Sequence, residues 1–94
     1  MAGLPARLGF SNNTKRPRIV WLEPWGEDFT LLSGEQLEIV CRADSGQPWF
    51  HVVEHEESTQ VYIESGDYPE VLQNGQRLEC GHNRQVARDA GLSL

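Results

Sequence analysis

Apolar and polar residues alternate along several short stretches of the chain, and turn-forming residues separate these stretches. Within residues 37–43, Leu37, Ile39 and Cys41 share one side of an extended chain while the residues between them share the other. This two-residue period is typical of a half-buried strand. Glycine, proline, asparagine and aspartate recur at intervals of about eight to twelve residues, with no convincing helical stretch between them. The pattern predicts an all-β protein.

The predicted strands are short. They cover residues 18–23, 29–32, 37–43, 49–54, 59–64, 70–73 and 76–80. In the first of them the apolar residues lie on both sides of the strand, which indicates burial from two sides. Asn74-Gly75 predicts a two-residue hairpin in which Val71 faces Leu78. We therefore expect a small antiparallel β-sandwich of about six to seven short strands, with an open β-barrel as the alternative.

The two ends of the chain differ from its middle. Residues 1–17 mix Gly, Pro, Asn and Ser with isolated apolar residues, so they are predicted to form a flexible basic arm. Residues 18–81 are predicted to form the sandwich domain. Residues 82–94 are predicted to be a flexible tail or a short helix at residues 86–94, because no capping box or clear amphipathic stripe is present.

Charge is distributed unevenly along the chain, whose net charge is −6. Residues 19–81 hold 13 of the 14 acidic residues and only two bases, Arg42 and Arg77, which gives this part a net charge of −11. Nucleic-acid binding depends on Lys and Arg at phosphates, so no nucleic-acid partner is expected. A basic protein partner is compatible with this charge.

Membrane insertion and secretion are not expected. The longest apolar runs are far shorter than the roughly 20 residues of a membrane-spanning helix. Pro5 and Gly9 interrupt the first ten residues, which therefore lack the apolar stretch of a secretory signal. We expect a cytoplasmic protein whose two cysteines, Cys41 and Cys80, are buried reduced thiols.

Metal binding is the alternative function that the sequence suggests. Cys80-Gly81-His82 places two ligand types close together, and Cys41 could add a third, which would make a small metal-binding protein or metalloenzyme. Zinc motifs with strong sequence signals contain two such close pairs, and this chain has one. His51 and His55 would lie about 13 Å apart in a strand, too far to share one ion. No metal site and no cofactor are therefore predicted.

The chain contains no catalytic motif. There is no GxSxG sequence and no glycine-rich phosphate loop, and no histidine lies in a recognisable nucleophile motif. Enzymatic activity is therefore not the favoured interpretation, and no catalytic residue is predicted.

Two aromatic residues lie in turns rather than strands. Trp25 and Tyr68 are each next to proline and acidic residues. They could be buried caps on the end of the sandwich, the commoner role for Trp, or exposed anchors for a partner. In the second interpretation, they form a binding surface with Glu23, Glu27 and Asp28. The function predicted from this surface and the charge is a non-catalytic acidic binding or assembly module. It would act through this end or through an edge strand, on a protein partner or as a homodimer.

The turn sequences carry a resemblance to other proteins. Glu23-Pro24-Trp25-Gly26, followed by Ser33-Gly34-Glu35, is similar to turns in a group of small bacterial β-proteins. The similarity covers roughly residues 19–66 and also includes the sequence Val61-Tyr62-Ile63-Glu64-Ser65-Gly66. It implies a free-standing bacterial protein and brings no assigned activity with it.

Overall fold

Two four-stranded sheets form the framework of the protein. The computed structural model describes residues 5–42 and 47–94. The elements in chain order are β1 (Ala6–Ser11), β2 (Arg18–Glu23), β3 (Glu27–Leu31), β4 (Gln36–Cys41), β5 (Trp49–Glu54), β6 (Ser58–Ser65), β7 (Glu70–Gln73), β8 (Gln76–Arg77) and α1 (Arg84–Asp89). The first sheet has the order β1-β4-β7-β8 and the second has the order β3-β2-β6-β5. The predicted β-sandwich is confirmed.

The hydrophobic core lies between the two sheets. The second sheet contributes five of its buried side chains and the first contributes three: Val20, Leu22, Phe29, Leu31 and Val61, and Leu37, Ile39 and Val71. Alternate residues of a strand point to opposite faces, so strands with a two-residue apolar period bury one face. Burying a side chain of this size contributes about 1.5–3 kcal/mol relative to leaving it exposed.

Strand β2 is buried on both of its faces, as predicted. Val20 and Leu22 face the core. On the other face, Ile19 packs against Ala87 and Leu92 of the C-terminal segment. Helix α1 and the residues after it therefore cover part of the outer face of the second sheet.

The predicted Asn74-Gly75 hairpin is confirmed. Both residues have positive φ, 52° and 79°, as the two-residue turn requires. The amide of Leu78 donates to the carbonyl of Val71 at 2.7 Å, so the two residues face each other as expected. Val71 is buried in the core and Leu78 packs against it.

The prediction of a flexible arm at residues 1–17 is wrong for Ala6–Ser11. These residues form β1, which pairs antiparallel with β4 along its whole length. Leu8 and Phe10 pack against the core, and the buried side-chain amide of Asn12 donates to the carbonyl of Leu31 at 3.0 Å. The apolar alternation in β1 is too short to stand out beside Pro and Gly, and only the ladder with β4 makes it a strand. Residues 1–4 lie outside the described ranges.

The C-terminal segment contains the short helix that was one of its two predicted states. The prediction placed this helix at residues 86–94, whereas α1 ends at Asp89. Gly91 has a φ of 78°, and the amide of Leu92 donates to the carbonyl of Ala87 at 3.0 Å, which is the glycine-dependent C-terminal motif that stops helices. This motif explains why α1 ends at Asp89, before Gly91.

One strand pair departs from the predicted antiparallel arrangement. Strands β2 and β6 are parallel neighbours, and β3, β4 and β5 lie between them in the chain. Parallel neighbours need a long connection, which this stretch provides. Turn chemistry predicts only hairpins between successive strands, so it could not reveal this pairing. Residue 43, the predicted end of the third strand, lies outside the described ranges.

Candidate binding site

Two turns from distant parts of the chain bring Trp25 and Tyr68 together. Trp25 lies at the tip of the β2–β3 turn, and Tyr68 lies between β6 and β7. Their ring centroids are 5.0 Å apart with an interplanar angle of 73°, an edge-to-face contact. Trp25 is 41% exposed and Tyr68 is 51% exposed. They are therefore not buried caps, and the surface interpretation fits their positions.

A hydrogen bond fixes the tyrosine of this pair. The Tyr68 phenol donates to the Glu27 carboxylate. This bond raises the pKa of Tyr68 to about 12, and partial burial adds to the effect. The phenol therefore stays protonated near neutral pH and keeps its donor role. We refer to Trp25, Tyr68 and Glu27 as the aromatic end.

The cavity at the Tyr68 side of the aromatic end is small. The cavity next to Glu27 and Tyr68 has a volume of about 60 Å³. Pockets that enclose small ligands have volumes of about 300–1,000 Å³. The aromatic end is therefore suited to contact with a macromolecular surface rather than to enclosing a metabolite.

Asp28, another predicted binding residue, does not belong to the aromatic end. Successive strand residues point to opposite faces, so Asp28 points away from Glu27 and toward α1. Its carboxylate is buried and accepts hydrogen bonds from Arg84 Nε at 2.9 Å and Nη2 at 2.5 Å. The hydrogen bonds from Arg84 lower the pKa of Asp28 and outweigh the opposing effect of burial. Asp28 therefore attaches the C-terminal segment to the sheet.

Glu23 lies beside the β2–β3 turn but on the outer face of the second sheet. Its carboxylate accepts a hydrogen bond from Gln60 Nε2 at 2.9 Å, and Gln60 Oε1 is 2.7 Å from His55 Nε2. With Trp21 and Gly26, these residues line an open groove next to the turn. Glu23 is thus held by Gln60 on the outer face of the second sheet, two residues from Trp25.

The residues of the metal alternative are not gathered into one site. Cys41 is buried and its thiol donates to the carbonyl of Asp67 at 3.0 Å, whereas Cys80 is exposed. Burial raises the pKa of the Cys41 thiol. Across residues 5–42 and 47–94, no three His, Cys, Asp or Glu side chains are placed to hold one ion. The expectation of two buried thiols is thus right for Cys41 and wrong for Cys80.

The basic ends of the chain fold back onto its acidic middle. Ion pairs join Arg7 to Glu38 at 2.6 Å and Arg18 to Glu54 at 3.2 Å. Arg84 adds a third at Asp28. The charge segregation visible in the sequence is therefore partly neutralised in the fold.

Sequence reasoning missed the exposed apolar residues of β5. Trp49 is 53% exposed and Val52 is 38% exposed, and both lie on an outer strand of the second sheet. Their strand was correctly located, but local alternation does not show which strand ends up at a sheet edge.

Comparison with known proteins adds no assignment. No family model, no curated protein and no solved structure matches this chain. The resemblance of its turns to those of small bacterial β-proteins therefore stays a prediction. In the described ranges, no helix has the length and apolar character needed to cross a membrane.

Proposed function

We propose that this protein is a non-catalytic binding module whose aromatic end takes a basic, amphipathic segment of a protein partner. The observation that carries the proposal is the exposed edge-to-face pair of Trp25 and Tyr68. Trp and Tyr are enriched among the residues that dominate binding energy at protein interfaces. A large exposed aromatic pair at the tip of two turns offers such residues to a partner.

The fixed geometry of the pair favours binding. The ring contact and the hydrogen bond from Tyr68 to Glu27 restrict both side chains before a partner arrives. Ordering an interface side chain otherwise costs about 0.5–1.5 kcal/mol. The aromatic end is therefore preorganised.

Charge supports a basic partner. Among the described residues, the ion pairs within 4.0 Å involve Asp28, Glu38, Glu54 and Glu79. Glu23 and Glu27, at either end of the turn that carries Trp25, are not among them. Carboxylates that have no cationic partner attract Lys and Arg, and a cation can also lie over an indole ring. In a segment that alternates basic and apolar residues, the basic side chains can contact the carboxylates and the apolar side chains can contact the aromatic rings.

Titration with a defined peptide tests this function. We expect an amphipathic lysine–leucine peptide to shift amide resonances around residues 23–28 and 67–69, and the matched glutamate–leucine peptide to leave them unchanged. Trp25→Ala should weaken binding at least about tenfold, because Trp is enriched among the interface residues whose truncation costs about 2 kcal/mol or more, and about 1.4 kcal/mol corresponds to a factor of ten. Trp49→Ala is the matched control, since Trp49 is also exposed but lies on β5.

Two results would contradict the proposal. One is equal binding of the two peptides, which would remove the role of charge. The other is an unchanged affinity of Trp25→Ala for the lysine–leucine peptide, which would remove the role of the aromatic end.

A cytoplasmic location is part of the same proposal. Cys41 and Cys80 are both free thiols. Thiols stay reduced in the cytosol and pair readily in oxidising compartments.

A further inference from the structure

Each sheet has two outer strands, and three of these four edges are protected in the described structure. At the edge of β3, the amide of Thr30 donates to the carbonyl of His82 at 2.9 Å, so the C-terminal segment covers this strand. Strand β8 has only two residues. Strand β1 carries the charged side chain of Arg7, which is 55% exposed. Covering, shortness and charge are the usual means by which proteins prevent edge-to-edge pairing.

Strand β5 is less protected: no described strand covers its outer edge, and its one charged residue, Glu54, is its last. Its register with β6 shifts between Trp49 and Phe50, so the regular part of the edge begins at Phe50. Residues 49–53 include no proline and no Lys, Arg, Asp or Glu. Within residues 5–42 and 47–94, β6 is the only strand that pairs with β5, so no described strand takes up the backbone groups of its opposite edge. The exposed side chains of Trp49 and Val52 lie on this strand. An uncharged, apolar edge of this kind is a template for pairing with another strand.

We propose that β5 pairs antiparallel with β5 of a second copy of this chain, around a two-fold axis at His51. This inference goes beyond the proposed function, because it uses neither Trp25 nor Tyr68. A two-fold contact of one strand with itself closes on two copies, so it forms a dimer and not a fibre. The second copy is the occupant because β5 is complementary to itself in one register.

On the outer face of the second sheet, the register centred on His51 brings apolar side chains of the two copies together. His51 and Val53 lie on that face, since Phe50 packs toward the core and the pairing of β5 with β6 is regular from Phe50 onward. Trp49 follows the same alternation along β5, although the shift in register comes between it and Phe50. With His51 on the axis, Trp49 of one copy faces Val53 of the second copy. Aromatic residues opposite β-branched residues are favourable cross-strand pairs.

The same register also brings apolar residues opposite each other on the core-facing side of β5. Phe50 of one copy then faces Val52 of the second copy, which covers the exposed part of Val52. A shift of the register by two residues in one direction would place Phe50 opposite Glu54. The same shift in the other direction would place Trp49 opposite His51. Of these three registers, only the one centred on His51 makes every other opposed pair within residues 49–53 apolar, and it places Glu54 opposite Pro48.

The nearest carboxylate does not prevent this contact. Glu54, which ends β5, is paired with Arg18 at 3.2 Å and accepts a hydrogen bond from Thr59. The copies nevertheless each have a net charge of −6, so added salt should strengthen the dimer by screening their repulsion. An interface formed by one strand from each copy is small, and we expect a Kd between about 1 μM and about 1 mM.

Charge exchange at the axis tests the dimer and its register. Sedimentation equilibrium should show concentration-dependent dimerisation of the wild-type protein between about 1 μM and about 1 mM. His51→Glu and His51→Lys should each weaken it at least about tenfold, because like charges would meet at the axis. An equimolar mixture of the two variants should restore dimers. His51 is exposed, so far-UV circular dichroism of both variants should match that of the wild type.

Asn13 is the site of the matched control. It is exposed in the β1–β2 connection, and its substitution by Glu or Lys changes the net charge as the same substitution of His51 does. Asn13→Glu and Asn13→Lys should each dimerise as the wild type does. A wild-type monomer throughout the concentration range would overturn the proposal, as would dimers that persist in both His51 variants. Loss of dimers in both variants without recovery in their mixture would also overturn it, because His51 would then not face itself.

Discussion

Glu27 acts at the scale of a single residue by controlling the state of Tyr68. Its carboxylate accepts the hydrogen bond of the Tyr68 phenol, which raises the pKa of Tyr68 to about 12. Because the folded-state pKa is raised above the ordinary value of 10.0, the associated stabilisation is fully present below pH 10.0. It is lost as the pH rises through about 12. The aromatic end is therefore insensitive to pH changes around neutrality.

Spectrophotometric titration measures this effect directly. The chain has two tyrosines, so Tyr62→Phe leaves Tyr68 as the only source of tyrosinate absorbance. We expect that absorbance to appear with a midpoint near pH 12. Glu27→Gln should move the midpoint back toward 10.0, since it removes the acceptor carboxylate. An unchanged midpoint in Glu27→Gln, with circular dichroism showing a folded protein, would mean that Glu27 does not hold the phenol.

At the scale of elements, α1 depends on the sheet beneath it. It has six residues and no side-chain cap at its N-terminus. Isolated helices shorter than about 12–15 residues are marginal in water, so α1 forms because its neighbours pack. Leu92 is 6% exposed and contacts Ile19 in a small second core. This contact makes the C-terminal segment part of the folded unit.

Truncation of Leu92 tests that dependence. Leu92→Ala should lower the free energy of unfolding by about 2–3 kcal/mol, the range for a buried leucine whose site can partly collapse. Leu94→Ala is the control, because Leu94 is 45% exposed. It should change stability by less than about 0.5 kcal/mol. Equal effects of the two substitutions in urea unfolding would show that the segment is not docked.

At the scale of the whole molecule, ion pairs join the basic ends to the acidic middle. Arg84 and Asp28 are separated by 56 residues and form the most buried of these pairs. The hydrogen bonds from Arg84 lower the pKa of Asp28 below its ordinary value of 3.8. The stabilisation from a lowered pKa is present above 3.8 and is lost as the pH falls through the folded-state value. Acid should therefore loosen the contact between α1 and β3.

Urea unfolding as a function of pH tests this contribution. Asp28→Asn should be less stable than the wild type near neutral pH. It should also lose less stability between about pH 5 and about pH 2, because its side chain does not titrate. Glu38→Gln breaks the exposed ion pair with Arg7 and should change stability at neutral pH by no more than about 1 kcal/mol. The same acid dependence in Asp28→Asn and the wild type would exclude Asp28 as a source of acid sensitivity.

The candidate site could be predicted only in part. Trp25 and Tyr68 stood out because each lies in a turn next to proline and acidic residues, and Glu27 followed from its proximity in the chain. Asp28 was placed with them for the same reason, but strand geometry turns it to the opposite face. Its role is decided by Arg84, a residue of α1 that is 56 residues away in the chain.

Local patterns alone located seven of the eight strands, although β8 ends at Arg77 rather than at residue 80. They also determined the Asn74-Gly75 hairpin and the two-sided burial of β2. Each depends on a few neighbouring residues, whose alternation or φ preference acts within one strand or turn. Only the tertiary structure decided that β1 joins β4, that β2 runs parallel to β6, that Trp25 meets Tyr68 and that β5 lies at an edge. These features depend on contacts between residues far apart in the chain, where the burial of the whole core selects among locally equivalent strands.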